Sequence, residues 1–261
     1  MSEVIRINKY LSEAGVCSRR EADRQIAAGQ VTINGRIALM GDKVSFADQV
    51  MYGNKLVSKE EEIILIAVNK PTGIVCTAEK REKDNIVDYV NYPKRIYPIG
   101  RLDKNSHGLI LMTNQGELVN QMMRSRNFHE KEYIVRVNRE VSKAFIQGMA
   151  KGVYLEQLDV STRPCQVQKV GRYTFRIILT QGLNRQIRRM CETFQYRVVD
   201  LKRVRIMNIK LGDLKEGAYR KITPAEWVEL RAQLMNSSND IVDVEGKDGN
   251  KAWTESRQNR E

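Results

Sequence analysis

An uninterrupted apolar run at residues 63–68 divides the chain, because it follows directly on a charged run at residues 59–62. Its isoleucine and valine residues favour strands, and a strand that is buried on both faces is continuously apolar rather than alternating. The polar stretch in front of it, residues 54–62, suits an exposed linker. The run therefore predicts a small N-terminal domain over residues 1–60 and a larger domain over residues 61–235.

The larger domain mixes strand and helix signals without the regular alternation of a doubly wound fold, which predicts an α+β domain. Strands are predicted at residues 109–112, 133–137, 165–170, 175–179 and 204–209. Helices are predicted at residues 116–124, 142–150, 185–194 and 224–234. Thr223 is the expected N-cap of the last helix. Residues 236–261 hold few apolar side chains, and we expect this tail to be disordered.

The first domain carries signals for two short helices and a small sheet. Ser18 is the expected N-cap of a helix over residues 19–28, and Asn34-Gly35 predicts a hairpin between strands at 31–33 and 37–39. Basic side chains lie on or beside the helices: Arg6, Lys9, Arg19, Arg20, Arg24 and Arg36. They indicate either a phosphate-binding face or solvated helices whose charges pair with nearby acids, and spacing alone does not decide between the two.

Composition limits the kinds of partner and chemistry. The net charge of +12 and the pI near 9.6 favour a polyanion, because Lys and Arg that neutralise phosphates release counterions. The four cysteines are scattered and only two histidines are present, which disfavours a metal site, a disulfide framework and a serine-hydrolase triad. No stretch predicts a membrane span or a secretory signal, so we expect a cytoplasmic protein.

The densest motif is the string GRLDKNSHGLILMTNQG at residues 100–116. A loop bounded by glycines presents Arg101 and Asp103, and a buried strand follows it. Such a strand can hold the loop rigidly enough for chemistry. An alternative structural role is that Asp103 only caps a turn or pairs with Arg101.

A second dense region, residues 180–205, is the most basic stretch of the chain. A helix over residues 185–194 would place Arg185, Arg188 and Arg189 on one face. Further cations follow at Arg197, Lys202, Arg203 and Arg205. Only Glu192 and Asp200 intervene, so contact with phosphates is favoured over a merely solvated helix.

These motifs resemble two known families in the expected order. The strings IRINKYL, SRREA and VTING of residues 5–35 resemble the small RNA-binding domain first described in a protein of the small ribosomal subunit. The string at residues 100–116 resembles the signature of RNA pseudouridine synthases, in the RsuA family that modifies ribosomal RNA. GLNRQIRRM at residues 182–190 is most similar to the large-subunit enzymes of the RluF type.

The resemblance, which covers residues 3–235, implies a fold and a site. It implies a mixed, mainly antiparallel sheet with flanking helices, behind a small α/β RNA-binding domain. Asp103 corresponds to the catalytic aspartate, Arg188 to its ion-pair partner and Tyr133 to a tyrosine against the target base. Arg101 corresponds to an arginine that replaces the extruded base. Other implied substrate contacts are Lys131, Asn184, Arg185, Gln186, Ile187, Arg189, Arg6, Lys9, Arg19, Arg20 and Arg24.

The resemblance also has implications for cofactors, metals and partners. Isomerising uridine involves no net redox change, so no cofactor and no metal are expected. The expected substrate is 23S ribosomal RNA, with transfer RNA as an additional possibility, and the expected state is a monomer.

Two other classes of function are consistent with parts of the sequence. A non-catalytic RNA-binding protein of ribosome assembly would need only the basic N-terminal unit and the charged helix. An RNA methyltransferase could carry the same accessory domain, but no G-x-G-x-x-G loop for a nucleotide-like cofactor follows a strand.

Overall fold

The computed structural model describes residues 4–45, 47–58, 62–79, 81–123 and 128–235. Its N-terminal unit contains two helices and six short strands among those residues. They are β1 Ile5–Arg6, α1 Ile7–Glu13, α2 Arg19–Ala27, β2 Val31–Ile33, β3 Arg36–Ile37, β4 Lys43–Val44, β5 Val50–Tyr52 and β6 Lys55–Leu56. Strand β1 pairs with β4, and a four-stranded sheet has the order β3-β2-β5-β6.

Local signals in this unit are confirmed. The Ser18 hydroxyl accepts a hydrogen bond from the backbone N–H of Glu21 at 3.2 Å, which caps α2. Asn34 and Gly35 have φ angles of 49° and 82°, as the two-residue turn between β2 and β3 requires. Strand β3 ends at Ile37, however, so the predicted strand at 37–39 is placed one to two residues too late.

The larger unit contains the remaining elements. They are β7 Leu65–Lys70, α3 Ile86–Val90, β8 Tyr97–Ile99, β9 His107–Thr113, α4 Gly116–Met123, β10 Lys131–Val137, α5 Lys143–Ala150, β11 Tyr154–Leu155, β12 Val160–Ser161, β13 Gln166–Gly171, β14 Thr174–Leu179, α6 Gln186–Thr193, β15 Val198–Ile206, β16 Ile209–Lys210, β17 Tyr219–Lys221 and α7 Pro224–Leu234. The predicted α+β class is confirmed.

A nine-stranded sheet forms the centre of this unit. Its order is β13-β14-β10-β15-β9-β7-β17, with β16 added to β15 and β8 to β9. Among its described strand pairs only β9 and β15 run parallel, where Lys202 and Arg203 face His107 and Gly108. The sheet is therefore mixed and mainly antiparallel, as expected. Helices α3, α5 and α6 pack on one face, and α4 and α7 pack on the other.

The end of the sheet differs from the sequence prediction. The strand expected at residues 204–209 is β15, which starts six residues earlier, at Val198, and ends at Ile206. Met207 has a φ of 52° and opens a turn into β16, so the apolar residues on both sides of that turn belong to two strands. The predicted tail, residues 236–261, lies outside the described residues, as does part of the predicted linker. No helix in the described ranges is long and apolar enough to cross a bilayer.

Candidate active site

The parallel pair of strands explains how two distant motifs meet. The loop that carries Asp103 leads into β9, and helix α6, which carries Arg188, leads into β15. Because β9 and β15 are parallel neighbours, both strands enter the sheet from the same end, although β15 begins four residues before the residue that pairs with His107. The loop and the helix therefore converge on one point.

At that point Asp103 faces two guanidinium groups. Its Oδ2 lies 4.0 Å from Nε of Arg188 and 4.0 Å from Nη1 of Arg185. The Asp103 side chain is 38% exposed, whereas that of Arg188 is 11% exposed. At 4.0 Å neither cation is hydrogen-bonded to the carboxylate. Asp103 is thus in a positive environment and is still accessible to a ligand.

Arg188 is anchored to the backbone of the Asp103 loop. Its Nη2 donates to the carbonyl oxygen of Asn105 at 2.9 Å and to Oγ of Ser106 at 3.1 Å. Burial lowers the pKa of Arg188, nearby Arg185 lowers it further, and the Asp103 carboxylate opposes both effects. Its Nε is buried and has no hydrogen-bond partner. This nitrogen is therefore the donor that points towards Asp103.

The start of α6 orders the other residues of its motif. Arg185 is the exposed N-cap residue, in the left-handed conformation with a φ of 51°. Arg189 donates to Oδ1 of Asn184 at 3.2 Å, and the amide oxygen of Gln186 accepts from the N–H of Leu183 at 3.1 Å. Gln186 and Ile187 are buried. Their contact with substrate stays a prediction, and both also stabilise the helix start.

Tyr133 and Lys131 lie on β10, next to β15. Tyr133 is directly opposite Arg203 across the strand pair and packs against the core on the face that carries α6. Lys131 is 7% exposed, and its Nζ donates to the carbonyl oxygen of His129 at 3.3 Å. Burial lowers the pKa of Lys131 to about 8, with a contribution from Arg203. The predicted pair thus consists of a half-buried phenol and a buried ammonium.

Sequence reasoning missed two buried groups beneath this site. Lys70, at the end of β7, is fully buried, and its Nζ donates to the carbonyl oxygens of Pro71 at 2.7 Å and Ile74 at 2.8 Å. The Cys76 thiol accepts from the N–H of Leu102 at 3.3 Å. The one signal available was a lysine that ends an apolar strand just before a proline.

The basic stretch after α6 is not a single phosphate-binding surface, contrary to the prediction. Arg203 is buried, and Arg205 pairs with Glu130 at 2.9 Å and Glu132 at 2.8 Å. Those two glutamates lie on or beside β10, and only the fold brings them opposite the arginine. Neither arginine is therefore available to bind a phosphate.

Among the remaining predicted residues Arg101 is exposed next to Asp103. In the N-terminal unit Arg6, Arg19 and Arg20 are also exposed. Lys9 pairs with Glu13 at 3.6 Å, and Arg24 pairs with Glu21. The exposed arginines are consistent with a phosphate-binding face, whereas the paired residues agree with the alternative of a solvated helix.

Comparisons with known proteins agree with this architecture. Residues 64–193 match the family described as RNA pseudouridylate synthase, and residues 5–50 match the S4 domain. The dual-specificity RNA pseudouridine synthase RluF of Escherichia coli (strain K12) is 50% identical over 239 residues, which are 91% of this chain and 82% of that protein.

Two further relatives extend the comparison. The ribosomal large subunit pseudouridine synthase B of Bacillus subtilis (strain 168) is 32% identical over 90% of this chain and 98% of its own. A crystal structure of a pseudouridylate synthase superposes with a TM-score of 0.64 at 27% identity and covers 87% of this chain and 99% of that chain. The chain therefore belongs to the RNA pseudouridine synthases, in the RsuA family and among its RluF-type members.

Proposed function

We propose that this pseudouridine synthase modifies one specific uridine of 23S ribosomal RNA, that Asp103 is its catalytic carboxylate, and that the target base is extruded into the site. The position of Asp103 carries this proposal. An accessible carboxylate lies 4.0 Å from two guanidinium groups, on a loop held by one of them. The relatives named above act on RNA, and one of them on the large ribosomal subunit by its name.

The reaction needs few chemical groups. The bond between ribose and the ring nitrogen breaks, a bond between ribose and a ring carbon forms, and a proton leaves that carbon while the freed nitrogen gains one. A carboxylate can attack the sugar or the base or remove a proton from the ribose. Arg188 and Arg185 place two positive charges 4.0 Å from the Asp103 carboxylate, where they can offset negative charge that develops during the reaction.

A stacked uridine does not reach such a loop, so extrusion has to supply access at a cost of a few kcal/mol. We propose that Arg101, which is exposed two residues before Asp103, occupies the position of the departed base. Tyr133 lies on the face of the sheet that carries α6 and Arg188, where its ring could stack against the uracil. Contacts of the exposed N-terminal arginines with phosphates offset part of the unstacking cost.

The same site is consistent with a second substrate. The name of the Escherichia coli relative includes dual specificity, and we propose that transfer RNA is an additional substrate here. We also propose that the protein acts as a monomer in the cytoplasm. We further propose that the domain boundary lies near residue 60, between the N-terminal core that ends at Val57 and the larger core that begins at Ile64.

Substitution of Asp103 by Asn tests the proposal, because it keeps the shape of the side chain and removes its charge. Ribosomal and transfer RNA from cells that carry either form are mapped by carbodiimide-dependent primer-extension stops. We expect one stop in 23S RNA to disappear with Asp103→Asn while RNA affinity changes less than about twofold. An unchanged pattern of stops would remove Asp103 from the mechanism.

A further inference from the structure

The loop that carries Asp103 is held from outside along its length. Leu102 N–H donates to the Cys76 thiol, the carbonyl oxygen of Lys104 accepts from Gly73 N–H at 2.8 Å, and that of Asn105 accepts from Arg188. These contacts fix the middle of the loop. The pairing of Ile99 in β8 with Leu111 in β9 sets where the loop leaves and rejoins the sheet, and Arg101 and Leu109 lie just beyond that last pair.

Arg203 joins the two ends. Its Nε donates to the carbonyl oxygen of Leu109 at 2.6 Å, and its Nη1 donates to that of Arg101 at 3.4 Å. Arg203 is 3% exposed. A planar guanidinium presents several donors in a fixed geometry, so one side chain can hold two carbonyls at a set separation. Asp103 lies between them, two residues from Arg101.

The backbone at Gly108 leaves room for Arg203 next to the Asp103 loop. Gly108 faces Arg203 across the parallel strand pair, and a Cβ atom at Gly108 would lie 2.3 Å from the carbonyl oxygen of Arg203. A contact that short is impossible without moving one of the strands. The lack of a side chain at Gly108 therefore allows β15 to lie close to β9, and Arg203 to reach both ends of the loop.

The positive charge of Arg203 is buried, and burying a charge opposes folding. No carboxylate lies within 4.0 Å of Arg203, Lys70 or Lys131 within the ranges described above. Burial lowers the pKa of Lys131, and Arg203 adds to that effect. Replacing a buried charge by an apolar side chain is often neutral or stabilising, so packing alone does not explain an arginine at this position.

We propose that Arg203 is a positioning residue for the reaction: by joining the carbonyls of Arg101 and Leu109 it holds Asp103 within reach of the extruded nucleotide. This inference rests on the proposed function, because the position of Asp103 matters only if Asp103 reacts. Arg203 itself is buried under the loop and acts through it.

The test uses the full-length protein with Arg203→Lys and Arg203→Ala, next to wild type and Asp103→Asn. A lysine can hold one carbonyl but lacks the fork that holds both. The matched control is Arg205→Lys, on the same strand, which alters a pair with Glu130 and Glu132 and leaves the loop alone. For each protein we would measure the single-turnover rate constant, the Kd for a 23S fragment and the urea midpoint of unfolding.

We expect Arg203→Lys to lower the rate constant on the order of 10²-fold, because a displacement near 1 Å has an effect of that size. The Kd should stay within about twofold, as should both quantities for Arg205→Lys. Added guanidinium should restore part of the rate of Arg203→Ala, and an equal concentration of sodium chloride should not. If Arg203→Ala does not fold, the rate and Kd of Arg203→Lys decide alone.

The outcomes separate the two claims. A full rate for Arg203→Lys, when wild type is active and Asp103→Asn is not, would overturn the inference and leave the proposed function intact. A loss that Arg205→Lys shares, or one that appears in Kd instead of rate, would also overturn it. A wild-type protein that modifies no ribosomal or transfer RNA would overturn both.

Discussion

Single buried cations define the interior of this site. Lys70, Lys131 and Arg203 are buried, and each donates to at least one backbone carbonyl. A buried ammonium without a carboxylate partner raises the free energy of the folded state, since desolvation disfavours its charged form. The interior of the site is therefore positive, which suits the role proposed for Asp103 and a substrate that is a polyanion.

The destabilisation that burial of the Lys131 ammonium causes should depend measurably on pH. Its pKa in the folded protein is about 8, against 10.5 for a free lysine, so the unfolded chain binds more protons between those values. The penalty is complete below pH 8 and disappears as the pH rises towards 10.5. Lys131→Met removes this penalty, so we expect its free energy of unfolding to exceed that of wild type at pH 7. The excess should be larger at pH 7 than at pH 10.5, by up to about 3 kcal/mol.

Urea unfolding of both proteins at pH 7, 9 and 10.5 measures that difference. Taking the difference between the two proteins cancels the contributions of other groups that titrate in the same range. One of these groups is Cys165, whose pKa is raised by burial to about 11. A difference that stays constant with pH would show that the Lys131 ammonium is not destabilised by burial.

The sequence indicated the functional residues on the loop and on α6, but it did not indicate the buried side chains that hold them in position. Asp103 and Arg188 lie in dense local motifs, and the structure brings them within 4.0 Å. Arg203 acts through contacts with Leu109 and Arg101, which lie far away in the chain and leave no local pattern. Lys70 donates to carbonyls one and four residues further on, so its position before a proline is the local signal that marks it. Arg203 was even assigned to a phosphate-binding surface, because charge alone does not distinguish a buried arginine from an exposed one.

At the scale of elements, the junction between β9 and β15 is the critical packing contact. Gly108 has a φ of +100°, and an added Cβ would meet backbone atoms of Arg203. We expect Gly108→Ala to destabilise the protein by at least about 2 kcal/mol, because a strained backbone and a backbone clash coincide there. Urea denaturation measures the change.

Gly171→Ala is the matched control for that substitution. Gly171 has an ordinary φ, and its added Cβ would make only van der Waals contact with Thr174 at 3.5 Å. Its effect should stay within about 0.5 kcal/mol of wild type. Equal effects of the two substitutions would show that the strand junction tolerates a side chain.

Elements with strong local signals were predicted well. Helix α7 spans residues 224–234 as expected, and Thr223 and Glu226 form a reciprocal capping box. The start of β15 was missed because the charged residues Asp200, Lys202 and Arg203 interrupt the apolar pattern before Val204. Its end was missed because apolar residues continue past the turn at Met207. Strand pairing partners are set by the tertiary fold, so the sequence did not indicate that β9 and β15 are parallel.

For the whole molecule, the charge of +12 makes RNA binding depend on salt. Each neutralised phosphate contributes about 0.7 to 0.9 to the slope of log K against log salt concentration. We expect the double substitution Arg19→Ala and Arg20→Ala to reduce that slope by about 1 to 2 and to leave the single-turnover rate at saturating RNA unchanged. Filter binding across a salt series measures the slope.

A double substitution of Lys143 and Lys151 by Ala provides the control, since it removes the same charge from exposed positions of α5 and its C-terminal end. Its slope should remain near that of wild type. If the two double variants behave alike, the N-terminal arginines act only through total charge and do not form a specific phosphate-binding face.

The parallel contact between β9 and β15 also bears on the order in which the protein becomes active during translation. Asp103 leaves the ribosome well before its supports, because Arg188 is 83 residues beyond Asn105 and Arg203 is 94 residues beyond Leu109. A nascent chain that has exposed the aspartate has neither guanidinium nor the strand that fixes its loop. If Asp103 is the catalytic carboxylate proposed above, we expect such a chain to be inactive until synthesis has passed Arg203.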